Sequence, residues 1–155
     1  MPNPFAIIFL HNGFININAE KMSKSIGNIL NIRDALKETT AEALRMFLLS
    51  SHYRSPIDYS AASLKEAETA VERFYKTLER MERDWPDVLT AVPDMARLKL
   101  RMQTIINAMD DDFNTAYAIG NIFKEVNTAN KLMDESVAIG SEGLAKELPV
   151  ILAVI

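Results

Sequence analysis

The chain has 155 residues, 48% of them hydrophobic and 25% charged, enough apolar content for one ordinary core or two small ones. It contains no cysteine, which excludes disulfides and every thiolate metal site and fits a reducing, cytoplasmic setting. The net charge of −4 excludes a broadly basic nucleic-acid-coating protein, no apolar run is long enough to span a membrane, and the start lacks the basic region and cleavage site of a signal peptide.

In chain order, Asn3-Pro4 can open a short helix, while Phe5-Ala6-Ile7-Ile8-Phe9-Leu10 also reads as a buried strand. The alternation Phe14-Ile15-Asn16-Ile17-Asn18 predicts a short strand. Glu20–Asn28 carries no apolar period and is expected to be a loop with few apolar anchors. It holds Lys21, Lys24, Ser23, Ser25 and Gly27, a set suited to phosphate: point charges, several donors and close backbone approach. A solvated surface turn has the same composition. Asn31 is the expected N-cap of a helix running to about Lys37, with Asp34 favourable in its first turn. Thr39-Thr40-Ala41-Glu42 has the capping-box pattern for a second helix over roughly 40–51. His52-Tyr53-Arg54-Ser55-Pro56 ends it, because the residue before a proline is pushed out of the helical region.

The clearest period lies in 60–84. Leu64, Val71, Leu78 and Trp85 recur every seventh residue, with Ala67, Phe74 and Met81 between them, and Pro86 stops the helix at Trp85. The seam is expected to be the core of the second half. Residues 86–93 form a link. Asp94 then caps a helix carrying Leu98, Met102, Ile105 and Met109. Asp110-Asp111-Asp112 is read as capping rather than metal-binding, since consecutive residues point in different directions. Asn114 or Thr115 caps the next helix, with Ile119, Phe123, Val126, Ala129 and Met133 on its apolar face. Gly140 is an expected break before a last helix bearing Leu144, Leu148, Ile151 and Ile155. The apolar run after Pro149 suggests a truncated domain or an end docked in a groove.

Lys21-Met22-Ser23-Lys24-Ser25 reads KMSKS, a hallmark of class I aminoacyl-tRNA synthetases. With His11-Asn12-Gly13-Phe14, Arg33-Asp34, His52–Pro56 and Met109–Thr115 in register, the chain resembles the cysteinyl-tRNA synthetases from about Phe5 to about Met133. The resemblance implies a mainly α C-terminal fragment. Residues 1–59 would be a KMSKS loop with a small β element and a stem-contact segment, and 60–155 a helical bundle of the DALR type, truncated. The family's nucleotide-binding sheet would lie upstream, with residues 5–10 in the helix leading to the loop. Lys24 would bind the triphosphate of ATP, assisted by Lys21, with Ser23 and Ser25 shaping the loop. Arg33, Tyr53 and Arg54 would meet tRNA. For all three a structural role stays open, for Arg33 by local pairing with Asp34 and for Tyr53 by filling core, and for Arg45 the structural role is preferred.

The family's His-x-Gly-His-type motif does not occur, and its zinc site is not expected in a chain with no cysteine and only His11 and His52. The chain alone is therefore expected to be inactive. Residues 1–59 hold six basic against five acidic residues, and the remainder eleven against sixteen, so weak tRNA contact is expected through the front part. The missing catalytic domain is the other partner implied. A non-catalytic RNA- or protein-binding module, or a piece of the related ligase joining cysteine to an amino sugar of mycothiol precursors, would share the same loop.

Overall fold

The computed structural model describes residues 5–155 apart from Asn18, Lys24 and Ile26, and for 136–142 the backbone alone. Ten elements follow in order: β1 (Ile15–Ile17), β2 (Glu20–Lys21), α1 (Ile32–Glu38), α2 (Ala41–Leu49), β3 (Ile57–Tyr59), α3 (Ala61–Asp84), a 3-10 turn (Pro86–Leu89), α4 (Met95–Asp110), α5 (Thr115–Asp134) and α6 (Ser136–Leu152). The mainly helical architecture with a small β element is thus as the sequence implied. β1 is the central strand, antiparallel to β2 and parallel to β3 in the order β2-β1-β3. Residues 5–10 form neither helix nor strand, contrary to both readings of that run. All of them but Ala6 are exposed, Phe5 at 103% and Ile7 at 88%.

Caps set most helix starts. The Ser60 hydroxyl accepts from Ser63 N, and Ser63 Oγ accepts from Ser60 N at 3.0 Å, a reciprocal box that starts α3. Asp94 accepts from Ala96 N and Arg97 N, and Asn114 from Tyr117 N. Two expected caps are corrected. Asn31 stands at the N-cap of α1, but its side chain makes no capping hydrogen bond. At α2 the cap is Thr40, which accepts from Ala43 N. The expected box fails because both its members are engaged elsewhere: Thr39 Oγ1 donates to Glu68 at 2.9 Å, and Glu42 accepts from the Tyr75 hydroxyl at 2.7 Å.

α3 joins two apolar clusters. Its first turns contribute Leu64 and Ala67 to a group with Ala35, Leu44 and Phe47. Its last turns contribute Met81 to a group with Val88, Ala129, Met133, Leu144, Leu148 and Ile151. Val71, Phe74, Leu78 and Trp85 of the same seam are only half-buried. Between the clusters, buried Thr77 accepts from Asn130 Nδ2 at 2.8 Å and donates to Arg73 O, so α3 and α5 meet in one register, and among the described residues no buried polar side chain is unpaired. Arg101 of α4 bridges Glu125 of α5 and Glu147 of α6.

The break before the last helix falls at Glu135, not Gly140: α6 runs continuously from Ser136 to Leu152 and contains Pro149. A mid-helix glycine costs only about 1 kcal/mol relative to alanine. Burial of Leu144, Leu148, Val150 and Ile151, all at 2% exposure or less, outweighs it. Ile155 packs against the same cluster, so the apolar run after Pro149 is docked.

Candidate functional site

The lysine- and serine-rich stretch begins as a strand, not a loop: Lys21 pairs with Asn16 and Glu20 with Ile17 across the β1–β2 hairpin. The hairpin turns at Ala19, whose φ of 65° is left-handed and strained for a residue with a Cβ. Its N–H donates to Asp58 Oδ1 at 2.7 Å, so the residue after Ile57 in β3 holds the turn. Lys21 Nζ lies 3.8 Å from the Phe14 ring centroid, a cation–π contact that positions the ammonium. Asn28 closes the loop from its far side. Its Oδ1 accepts from Ser23 N at 2.8 Å and its Nδ2 donates to Lys21 O at 3.3 Å. The Ser23 and Ser25 hydroxyls are 3.1 Å apart, and Gly27 takes a φ of 75°. Lys24, the residue first assigned to triphosphate, lies outside the described residues. Asn28 and Asp58 went unnoticed in the sequence, because their roles depend on partners across a hairpin.

The His52–Ser55 loop is gripped from two sides. On one, Gly13 N donates to Tyr53 O at 2.7 Å, and a Cβ on Gly13 would sit 2.3 Å from Ser55 O. Only glycine permits that approach. On the other, the loop meets Asp112 in the α4–α5 connection. Arg54 Nε donates to Asp112 Oδ2 at 2.6 Å and Nη2 to Oδ1 at 3.0 Å, while the Tyr53 hydroxyl donates to Oδ1 at 2.7 Å. His52 Nε2 lies 3.8 Å from Oδ2, and its ring stacks on Tyr53 at 4.9 Å. Arg54 and Tyr53 hydrogen bonds hold the Asp112 carboxyl down at about 2. The same bond raises the Tyr53 phenol, since its donated proton faces a carboxylate, and raises the Arg54 guanidinium. Asp112 and Phe113 have φ of 52° and 53°, so a left-handed corner between the helices begins at the last residue of the acid run.

The remaining candidates are separate. Arg33 is exposed on α1 without a hydrogen bond or ion pair among the described residues, and Asp34 pairs with Lys37 at 2.6 Å instead of with Arg33. Arg45 is exposed at the edge of an apolar groove of about 340 Å³ lined by Ile15, Ile17, Leu30, Leu36, Leu44 and Phe47. Among the described residues, no group of three His, Cys, Asp or Glu is placed to hold a metal, and the donor set does not fit a zinc site. No described helix is long and apolar enough to cross a membrane.

Two family models match: the class I (C) tRNA synthetase catalytic domain over residues 1–69 and the DALR domain over 104–153. The chain is 46% identical over 146 residues to the cysteine–tRNA ligase of Thermodesulfovibrio yellowstonii, covering 90% of this chain and 30% of that protein. It is 44% identical over 144 residues to that of Geobacter metallireducens, covering 89% and 30%. The chain belongs to the class I aminoacyl-tRNA synthetase family, in its cysteine–tRNA ligase branch. It spans 30% of the length of those two curated relatives. A solved ternary complex, Agrobacterium radiobacter K84 agnB2 LeuRS-tRNA-LeuAMS, shares the fold at a TM-score of 0.68 and 18% identity, covering 92% of this chain and 20% of that one.

Proposed function

We propose that this chain supplies the triphosphate-contacting hairpin, an RNA-contact segment and the helical bundle that carries them in an ATP-dependent cysteine–tRNA ligase of the cytoplasm. Charge builds on the β- and γ-phosphates as the α-phosphate is attacked, so lysines held there lower the barrier. Lys24 and Lys21 are the ammonium donors in this reading, with Ser23 and Ser25 adding hydroxyl donors. ATP would supply the leaving pyrophosphate. The chain's own contribution is a hairpin and following loop, braced by Asp58 and Asn28, that carry Lys21, Ser23 and Ser25. That bracing is the observation that carries the proposal, because two separate side chains add to the β1–β2 pairing in fixing the loop.

The division into 1–59 and 60–155 is one of roles: the front part meets ATP and RNA, and the bundle carries it. Arg33, Tyr53 and Arg54 are the RNA contacts in this reading. The apolar groove, with exposed Ile32, Leu36 and Leu48 at its rim, is the seat proposed for the nucleotide-binding part of the longer relatives. Alone, the chain lacks the second half of an ATP site and is not expected to catalyse. The test is cysteine-dependent ATP–pyrophosphate exchange with the purified chain. No exchange is expected, and measurable exchange would require a complete site that this reading does not contain.

A further inference from the structure

Arg54 has two possible partners of the same shape. A carboxylate and a phosphate both offer paired oxygens to a guanidinium edge, and Asp112 already takes the Nε/Nη2 edge with both of its oxygens. We propose that Asp112 occupies on Arg54 the position of a nucleic-acid phosphate, so that the helical bundle masks the RNA-facing cation of the 52–55 loop until an RNA phosphate displaces it. This rests on the RNA-contact reading of Arg54.

Three observations favour a displaceable mask over a fixed structural tie. Both groups reach water, with the Arg54 side chain 60% and the Asp112 side chain 41% exposed. A solvent-exposed pair is open to competition from other anions, although two-point geometry is the stronger form of such a pair. Asp112 also has a second donor, the Tyr53 hydroxyl, and a nearby imidazole on His52. Its carboxylate therefore keeps partners when Arg54 leaves, which lowers the cost of the exchange. Finally, Asp112 follows Asp110 and Asp111 at a corner between helices, where the local field opposes an incoming polyanion. Arg54 must be released from that field to count as a cation toward RNA.

The experiment is a titration of the whole chain with a transcribed cysteine tRNA at two salt concentrations. Wild type is compared with Asp112→Asn, Arg54→Ala, the double variant, and Asp111→Asn as a control for net charge. Asp112→Asn should bind several-fold more tightly, because no ion pair has to be broken before Arg54 meets its phosphate. The gain should vanish in the Arg54→Ala background. An equal gain from Asp111→Asn would reduce the effect to general charge and overturn the mask. Weaker binding by Asp112→Asn, with its melting temperature unchanged, would make Asp112 a positioning residue for Arg54 and also overturn it. If wild type binds with a salt dependence that none of these variants alters, the mask fails and RNA contact by the front part stands. If no variant binds at all, both readings fall together.

Discussion

Met81→Ala probes the packing that holds α3 to the end of the chain. Met81 is 0% exposed and belongs to a cluster with Val88, Ala129, Met133, Leu144, Leu148 and Ile151, drawn from the 3-10 turn, α5 and α6. Truncation removes a thioether and leaves a cavity walled by three elements that cannot all collapse inward. Buried methionine-to-alanine changes cost about 2–5 kcal/mol, and a site enclosed on this many sides belongs near the middle, about 3 kcal/mol. With a urea m-value of about 2 kcal/mol per molar, the denaturation midpoint should fall by about 1.5 M. Phe74→Ala should cost less, about 2 kcal/mol, because the ring is half-buried and rests on Phe123 at 4.6 Å between centroids. Paired urea melts by far-UV circular dichroism measure both. A cost for Met81→Ala below that for Phe74→Ala, or below about 1 kcal/mol, would refute the placement of the core at the far end of α3.

Three further outcomes follow from contacts around the two loops. Gly13→Ala should destabilise by about 1–3 kcal/mol, since a Cβ would meet the Ser55 carbonyl at 2.3 Å; an unchanged melting curve would refute the close approach. Asn28→Ala should speed amide exchange at Ser23, which loses its acceptor, while leaving exchange in α3 and α5 unchanged. The Asp112 carboxyl is depressed in the folded chain, so its stabilising effect is complete above the ordinary carboxylate value of 3.8 and is lost as pH falls toward about 2. Asp112→Asn should therefore flatten the acid limb of stability in that window, and an identical acid limb in the variant would count against the Arg54–Asp112 pair.

The long helices were legible because several local signals agreed. For α3 the apolar seam, Ser60 before it and Pro86 after it all point to the same 24-residue element. Asp94 and Asn114 announced α4 and α5 by side-chain chemistry that acts within three residues. What escaped depends on long-range partners. β3 is three residues long and pairs in parallel with a strand some forty positions earlier, beyond the reach of any periodicity. The capping box at Thr39 failed because Glu68 and Tyr75 of α3 compete for its members. The acid run was read as capping, and Asn114 does cap α5, but Asp112 is committed to Arg54 across 58 positions of sequence. The KMSKS stretch was legible as a motif, while the Asn28 and Asp58 bonds that brace it were visible only in the folded chain.

The central claim is that the front part of this chain meets RNA through a few cations while the acidic bundle does not. The most direct measurement is the salt dependence of cysteine-tRNA binding by wild type and by an Arg33→Ala/Arg54→Ala variant. Wild type should bind weakly, with a log–log salt slope of only a few, and the variant should lose both affinity and slope. Binding by the variant that matches wild type at both salt concentrations would contradict the account.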